Sequence, residues 1–253
     1  MRLIVTRPDP DGERTALALE KLGHEAILSP ALEIRYLVDA AIRTGKPQAI
    51  LVTSVNAVRA LERHVRWGAL KSCPVLAVGD RTAVEAKRAG FASSTSAGGA
   101  LKDLLAVVKR SCTPAGGPLL YAAGADRAGH PADELGRDGY AVETVVVYRA
   151  EKAPDLADAA HRALDRNEVD GVLLYSARTA EAFAEQLDRA GLLPLDDRVV
   201  RFCLSEAIAE AAQRLGEGPT KVAETPDQLA LFAPTGSPNC WATGFIPPAR
   251  LIR

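Results

Sequence analysis

Three stretches of the chain recur later in the same order, and that repetition constrains the fold more than any other feature. Leu3-Ile4-Val5, leading to Leu22-Gly23-His24-Glu25-Ala26, returns as Leu119-Leu120-Tyr121, leading to Asp138-Gly139-Tyr140-Ala141-Val142, a shift of 116 residues from Leu3 to Leu119. Ile50-Leu51-Val52-Thr53-Ser54-Val55-Asn56-Ala57 returns as Val172-Leu173-Leu174-Tyr175-Ser176-Ala177-Arg178-Thr179, shifted by 122 from Ser54 to Ser176. Val78-Gly79-Asp80-Arg81-Thr82-Ala83, closing at Gly90, returns as Leu204-Ser205-Glu206-Ala207-Ile208-Ala209, closing at Gly216, shifted by 126. The shift drifts by a few residues, as loop insertions would make it do. A length of 253 residues allows one large domain or two modest ones, and a degenerate duplication selects two similar ones.

Each repeat alternates short apolar runs with helical periods. Leu3 to Thr6, Ala49 to Val52, Val75 to Val78, Leu119 to Ala122, Val172 to Tyr175 and Val200 to Leu204 are aliphatic on both faces, as strands buried on both sides must be. A polar turn and a segment rich in Ala, Leu, Glu and Arg follows each. Gly23, Gly90, Gly139, Gly191 and Gly216 stand where left-handed helix C-caps belong. The pattern predicts an α/β protein of two parallel-sheet domains, flavodoxin- or Rossmann-like. Leu32 to Leu37 and Thr144 to Arg149 break the rhythm as extended segments. They are crossings between the domains or edge strands of their own sheets, and periodicity does not choose. Beyond Thr225-Pro226-Asp227, a helix start, the period fails at Phe232, and Pro234, Pro238, Pro247 and Pro248 forbid a continuous helix, so 233–253 reads as an irregular tail.

Composition narrows the chemistry by exclusion. Lys and Arg number 31 against 32 Asp and Glu, so no basic surplus points to nucleic acid. Cys73, Cys112, Cys203 and Cys240 lack metal-ligand or redox spacing, and His24, His64, His130 and His161 are equally scattered, so no metal site is expected. The opening Met1-Arg2-Leu3-Ile4-Val5-Thr6 reads as a first strand rather than a signal peptide, and no apolar run is long enough to span a bilayer. A cytoplasmic, monomeric protein without a membrane or nucleic-acid partner is the expectation. No phosphate-loop lysine, triad or paired-glycine dinucleotide fingerprint occurs. Gly79-Asp80-Arg81-Thr82 lacks the further glycines that approach to a pyrophosphate needs, and Gly98-Gly99 has no suitable strand ahead of it.

What recurs is a strand ending in small polar residues at a helix start. The turns are Thr6-Arg7-Pro8, Thr53-Ser54-Val55-Asn56, Gly79-Asp80-Arg81-Thr82, Ala123-Gly124-Ala125-Asp126-Arg127, Tyr175-Ser176-Ala177-Arg178-Thr179 and Ser205-Glu206. In a parallel α/β sheet they all emerge at the carboxyl ends of the strands, where such folds bind ligands. Free N–H groups at a helix start hold carboxylates without a fixed cation. Any one of these turns is an ordinary N-cap. Six on one rim, with Arg7, Arg81, Arg127 and Arg178 among them, point to a polyanionic small molecule. Tyr148 and Tyr175 could each donate a phenolic proton, or simply pack at a domain edge.

Ile4-Val5-Thr6-Arg7-Pro8, Val52-Thr53-Ser54-Val55-Asn56-Ala57-Val58, Ala77-Val78-Gly79-Asp80-Arg81-Thr82-Ala83, Val145-Val146-Val147-Tyr148-Arg149, Leu174-Tyr175-Ser176 and Ala223-Glu224-Thr225-Pro226 together resemble the uroporphyrinogen-III synthase family, in the family's order over residues 1 to 231. The resemblance implies a discontinuous domain of 1–34 plus 150–231, a second of 37–146, a two-stranded ladder of 32–37 and 144–149 joining them, and an active cleft between them. It implies a cofactor-free lyase that cyclises hydroxymethylbilane, a linear tetrapyrrole with eight carboxylates. The terminal hydroxyl leaves as water, the far ring attacks through its substituted carbon, and a spiro intermediate recloses with that ring inverted. Tyr148 matches the family's ladder tyrosine, the candidate for assisting hydroxyl departure, and Thr82 matches a threonine beside the cleft. Substrate contacts are expected from Arg7, Thr53, Ser54, Asn56, Gly79, Arg81, Thr82, Gly124, Arg127, Tyr175, Ser176, Arg178, Thr179 and Ser205. Ile208 stands where Thr82 stands in the first repeat, so no hydroxyl is carried over there. A non-catalytic two-domain receptor for polyanions, or a transferase acting on nucleotide-linked substrates, would share much of this architecture.

Overall fold

The computed structural model describes residues 1–126, 129–225 and 227–233. The chain divides into two compact units: unit 1 is Met1–Glu33 together with the chain from Lys152 onward, and unit 2 is Ile34–Glu151.

Unit 1 is built on five parallel strands, β1 (Arg2–Val5), β2 (Glu25–Leu28), β9 (Gly171–Leu174), β10 (Val200–Cys203) and β11 (Thr220–Val222), lying in the order β11-β10-β9-β1-β2. Its helices are α1 (Asp11–Glu20), α7 (Asp158–Asp165), α8 (Ala177–Arg189), α9 (Glu206–Ala212) and α10 (Gln228–Phe232). Alternate residues of the central strands serve two cores. Ile4, Val172, Leu174 and Cys203 pack with Ala160 of α7 and Phe183 and Leu187 of α8. Leu3, Val5, Leu173 and Phe202 pack with Leu19 of α1 and Leu231 and Phe232 of α10. Gly171 opens β9 because nothing larger fits: a Cβ there would stand 2.6 Å from Phe202 Cε2 and 2.9 Å from the Val200 carbonyl oxygen.

Unit 2 carries a six-stranded sheet in the order β3-β8-β7-β4-β5-β6, formed by β3 (Leu32–Tyr36), β4 (Ala49–Val52), β5 (Pro74–Ala77), β6 (Ser93–Ser96), β7 (Leu119–Gly124) and β8 (Val142–Lys152). The five strands from β8 to β6 are parallel. Its helices are α2 (Val55–Glu62), α3 (Trp67–Leu70), α4 (Asp80–Ala89), α5 (Leu101–Ser111) and α6 (Pro131–Arg137). One face of the sheet, with Ile50, Val52, Leu120 and Val147, packs against α2 and α4; the other, with Leu51, Leu119 and Tyr121, packs against α5 and α6. No helix among the described residues is long and apolar enough to cross a membrane.

Strands named in the repeat occupy matching places: β1, β2, β9 and β10 in one sheet stand as β7, β8, β4 and β5 do in the other. The order reverses between β1 and β9 and between β7 and β4, and a doubly wound sheet opens a crevice at the carboxyl ends of such a pair.

Several sequence expectations change here. Thr144 to Arg149 is the middle of a longer, eleven-residue strand, β8, bordered by β7 on one side and by β3, which holds Leu32 to Tyr36, on the other. In the first repeat Ser29-Pro30 interrupts the corresponding stretch, so β2 and β3 are separate strands. Gly98-Gly99 does follow a strand, β6, whose Ser-Ser-Thr-Ser sequence carries no apolar signal because it is an exposed sheet edge. Gly90 ends α4 in the left-handed region at φ 94° and ψ 25°. Gly216 instead has φ 126° and ψ −169° after a 3-10 turn, so it is not a left-handed C-cap. The expected irregular tail lies outside the described residues beyond Ala233.

Candidate functional site

In unit 2 the reversal falls between β4 and β7, and three predicted residues meet at its carboxyl end. Ser54 caps α2, its Oγ accepting the Asn56 N–H at 3.1 Å. Gly124 ends β7. Tyr148 arrives from β8 through a register slip: Ala123 is opposite Val146, but Gly124 is opposite Tyr148, so one extra residue is accommodated in β8. Such a bulge re-aims the side chain that follows it. The Ala125 N–H donates to the Tyr148 carbonyl at 2.9 Å and the Leu37 N–H to the Val147 carbonyl at 2.8 Å, holding the backbone from both sides. The phenol then lies against Gly124, where a Cβ would be 2.7 Å from its Cζ and 2.8 Å from its oxygen.

Burial raises the Tyr148 pKa above the ordinary tyrosine value, and a hydrogen bond with Ser54 works against the rise. The phenol therefore stays protonated through neutral pH and beyond. Beside it, the Tyr121 hydroxyl stands 3.4 Å from Thr53 Oγ1. Tyr121 was not among the predicted site residues, although its signal was there: a tyrosine inside an aliphatic strand brings a hydroxyl that needs a partner when buried. Asn56 faces its own helix, accepting from Arg59 at 3.3 Å.

The turn after β5 presents Gly79 as the cap of α4, with Asp80, the exposed Arg81 and the buried Thr82 in its first turn. Gly79 Cα sits in extended backbone at φ −146°, and a Cβ there would meet Gly99 Cα at an ordinary 3.7 Å. Neither space nor backbone demands glycine at 79, in contrast to 124.

Unit 1 has its own reversal, between β1 and β9. Thr6 there is structural, its hydroxyl donating to the Leu173 carbonyl at 2.6 Å. Arg7 stacks over the Tyr175 ring at 4.2 Å from its centroid, donates to Thr15 at 3.3 Å and Gln228 at 3.1 Å, and approaches Asp11 at 3.6 Å. Burial raises the Tyr175 pKa, opposed by Thr15 and Arg7. Gln228 was invisible as a partner in the sequence, because it is 221 residues from Arg7. Ser176 caps α8, accepting the Thr179 N–H at 3.1 Å and pairing with the buried Thr179 hydroxyl at 2.7 Å. Arg178 lies half-buried in the first turn of α8, and Ser205 caps α9 without a side-chain bond to it. Arg127 lies outside the described residues.

A cavity of about 430 Å³ in unit 1 is elsewhere: Asp170, Leu192 and Val199 line it at the amino ends of β9 and β10, opposite the turns above. Its Asp196 is bound by Arg198 at 2.8 and 2.9 Å, which pulls the carboxyl pKa down to about 2. None of the predicted site residues lines that cavity. Among the described residues no group of three or more His, Cys, Asp and Glu is placed to hold a metal ion. The chemistry on offer is a set of helix starts for anions and a protonated phenol in unit 2.

Residues 13–233 match the family model described as Uroporphyrinogen-III synthase HemD. No curated protein sequence matches the chain. The solved uroporphyrinogen-III synthetase from Helicobacter pylori is 17% identical, with a TM-score of 0.61 over 93% of this chain and 98% of that one, a likeness of fold. A mutant uroporphyrinogen III synthase from the extremely thermophilic bacterium Thermus thermophilus is 21% identical over 91% and 94%, with a TM-score of 0.47.

Proposed function

The chain belongs to the uroporphyrinogen-III synthase family, and we propose that it carries out that family's reaction in tetrapyrrole biosynthesis, the cyclisation of hydroxymethylbilane to uroporphyrinogen III. The family match over residues 13–233 carries the reading. The reaction asks for two things from the residues described: a donor for the departing hydroxyl and sites for carboxylates.

The phenol of Tyr148 supplies the first. Its proton passes to the terminal hydroxyl, the C–O electron pair leaves with the oxygen as water, and the neighbouring pyrrole nitrogen stabilises the cation. The substituted carbon of the far ring then attacks that cation, forming the spiro intermediate. The original bridge bond of the spiro carbon then breaks to leave a second pyrrole-stabilised cation on the bridge carbon. The far ring's free α-carbon, across its nitrogen, closes onto that cation and loses its proton, which leaves the ring inverted. The balance is one substrate to one product plus one water, and the phenolate recovers the proton released at the end.

The helix starts at Ser54, Gly79, Ser176 and Ser205 suit the second, offering N–H groups and positive dipole ends to carboxylates. Selection between the two ring closures is an orientation effect, so binding geometry rather than acid strength decides the isomer. Cytoplasmic location and a monomeric state remain part of the same proposal.

The test supplies freshly prepared hydroxymethylbilane to the purified protein and separates the porphyrin isomers after oxidation. A product dominated by the inverted isomer is expected. The uninverted isomer, at the proportion formed without protein, would overturn the reading and leave a polyanion receptor.

A further inference from the structure

We infer that Gly124 is a positioning residue for the Tyr148 phenol rather than a contact for substrate. The inference rests on the reading of Tyr148 as proton donor and adds what fixes its place. A glycine is required at a position for one of two reasons, a backbone conformation closed to other residues or a lack of room. Gly124 is not among the residues with positive φ, so an alanine could adopt its backbone. Room is the reason: the volume of a Cβ is already taken by Tyr148 Cζ, Cε1 and oxygen, at 2.7, 3.1 and 2.8 Å.

The tyrosine cannot yield by moving its backbone. Its carbonyl is held by Ala125 N–H, and its place opposite Gly124 is set by the slip in β8. A methyl group at 124 must therefore swing the ring about its own side-chain torsions and carry the hydroxyl away from Ser54. Ser54 has no comparable freedom to follow, because its Oγ caps α2 through Asn56 N–H. The bulge, the bare Cα and the capped serine together define one position for the phenolic oxygen.

The experiment compares Gly124→Ala, Tyr148→Phe and the double variant, with Gly136→Ala as control, since a Cβ at that exposed helical glycine meets nothing within 4 Å. Turnover and KM on hydroxymethylbilane are measured, with urea unfolding and spectrophotometric titration of the Tyr148 phenol. Gly124→Ala is expected to lose about as much kcat as Tyr148→Phe, about tenfold, with KM held, and the double variant to be no slower than Tyr148→Phe. The phenol of Gly124→Ala should ionise nearer the ordinary tyrosine value as the ring moves outward. If Tyr148→Phe is slow while Gly124→Ala keeps wild-type turnover, the positioning role is wrong and the proton-donor reading survives. Multiplying losses in the double variant would also overturn the positioning role, whereas a fully active Tyr148→Phe would remove the reading beneath it. Should Gly124→Ala be too unstable to assay, its destabilisation must shrink in a Tyr148→Ala background, and an unchanged cost there overturns the collision argued here.

Discussion

Arg59 and Glu85 form an ion pair at 3.2 Å between α2 and α4, with only 3% and 8% of their side chains exposed. The two helices cover one face of the sheet in unit 2, and Ser54 and Gly79, the caps of these helices, sit at its carboxyl edge. Arg88 adds a second donor to Glu85 at 3.0 Å. Removing the charge of one partner of a buried pair leaves the other's charge uncompensated, which costs about 3–5 kcal/mol. Glu85→Gln should therefore lower the unfolding free energy by about 3 kcal/mol at neutral pH. Burial alone would raise the Glu85 pKa, but hydrogen bonds from Arg88 and Arg59 outweigh it, and the net shift is downward. A depressed carboxyl contributes its stability above the unfolded-state pKa and loses it as pH falls through the folded one. Urea unfolding from pH 7 into the acid range below the ordinary glutamate value should show the gap between wild type and Glu85→Gln closing. A gap that stays constant with pH would show that the pair contributes no charge term.

Gly171→Ala should destabilise unit 1 by overpacking. The added methyl would meet Phe202 Cε2 at 2.6 Å and the Val200 carbonyl at 2.9 Å, and the second of these is backbone that cannot turn aside. Overpacking of this kind costs about 1–3 kcal/mol. Urea unfolding reads the loss, and an unchanged midpoint would mean that β9 and β10 separate without strain.

Arg7 stands on the predicted binding rim, yet its guanidinium serves its own unit through Thr15, Gln228, Asp11 and the Tyr175 ring. Arg7→Met is expected to lower stability by about 1–2 kcal/mol, the sum expected of a cation–π contact and a partly buried ion pair. KM for hydroxymethylbilane should stay at its wild-type value. The reverse result, a raised KM with the midpoint unchanged, would return Arg7 to the substrate.

The alternation of apolar runs and helices was legible because strands such as β4, β7 and β9 are buried along their whole length, so their residues must be apolar on both faces. β6 and β11 escaped because edge strands are free to be polar, as Ser93–Ser96 and Thr220–Val222 are. Arg59 had a readable sign, a charge set within the apolar run Val58-Arg59-Ala60-Leu61, but its partner lies 26 residues away on another helix. The helix caps of the candidate site were legible, since Ser54 and Ser176 cap as their type predicts. The pairing of Tyr148 with Gly124 was not, because a one-residue slip between strands leaves no periodic trace. It exists only once β7 and β8 are laid side by side.

That pairing leads to a prediction about acid strength. A positioned general acid contributes about 10²–10⁴ in rate. Tyr148 should fall short of this for two reasons: burial makes its phenol harder to ionise, and the terminal hydroxyl of the bilane also departs without help. Tyr148→Phe should accordingly slow turnover by about tenfold, below that range. It should keep the inverted isomer as the main product, because orientation and not protonation selects the closure. The raised pKa has its own consequence. A phenol whose neutral form is favoured stays protonated as pH rises past the ordinary tyrosine value, so the alkaline fall in kcat should lie above that value in the wild type and disappear in Tyr148→Phe. Stopped assays across the alkaline range read both the limb and the isomer ratio. If the limb persists unchanged in Tyr148→Phe, another group sets it and Tyr148 is a packing residue.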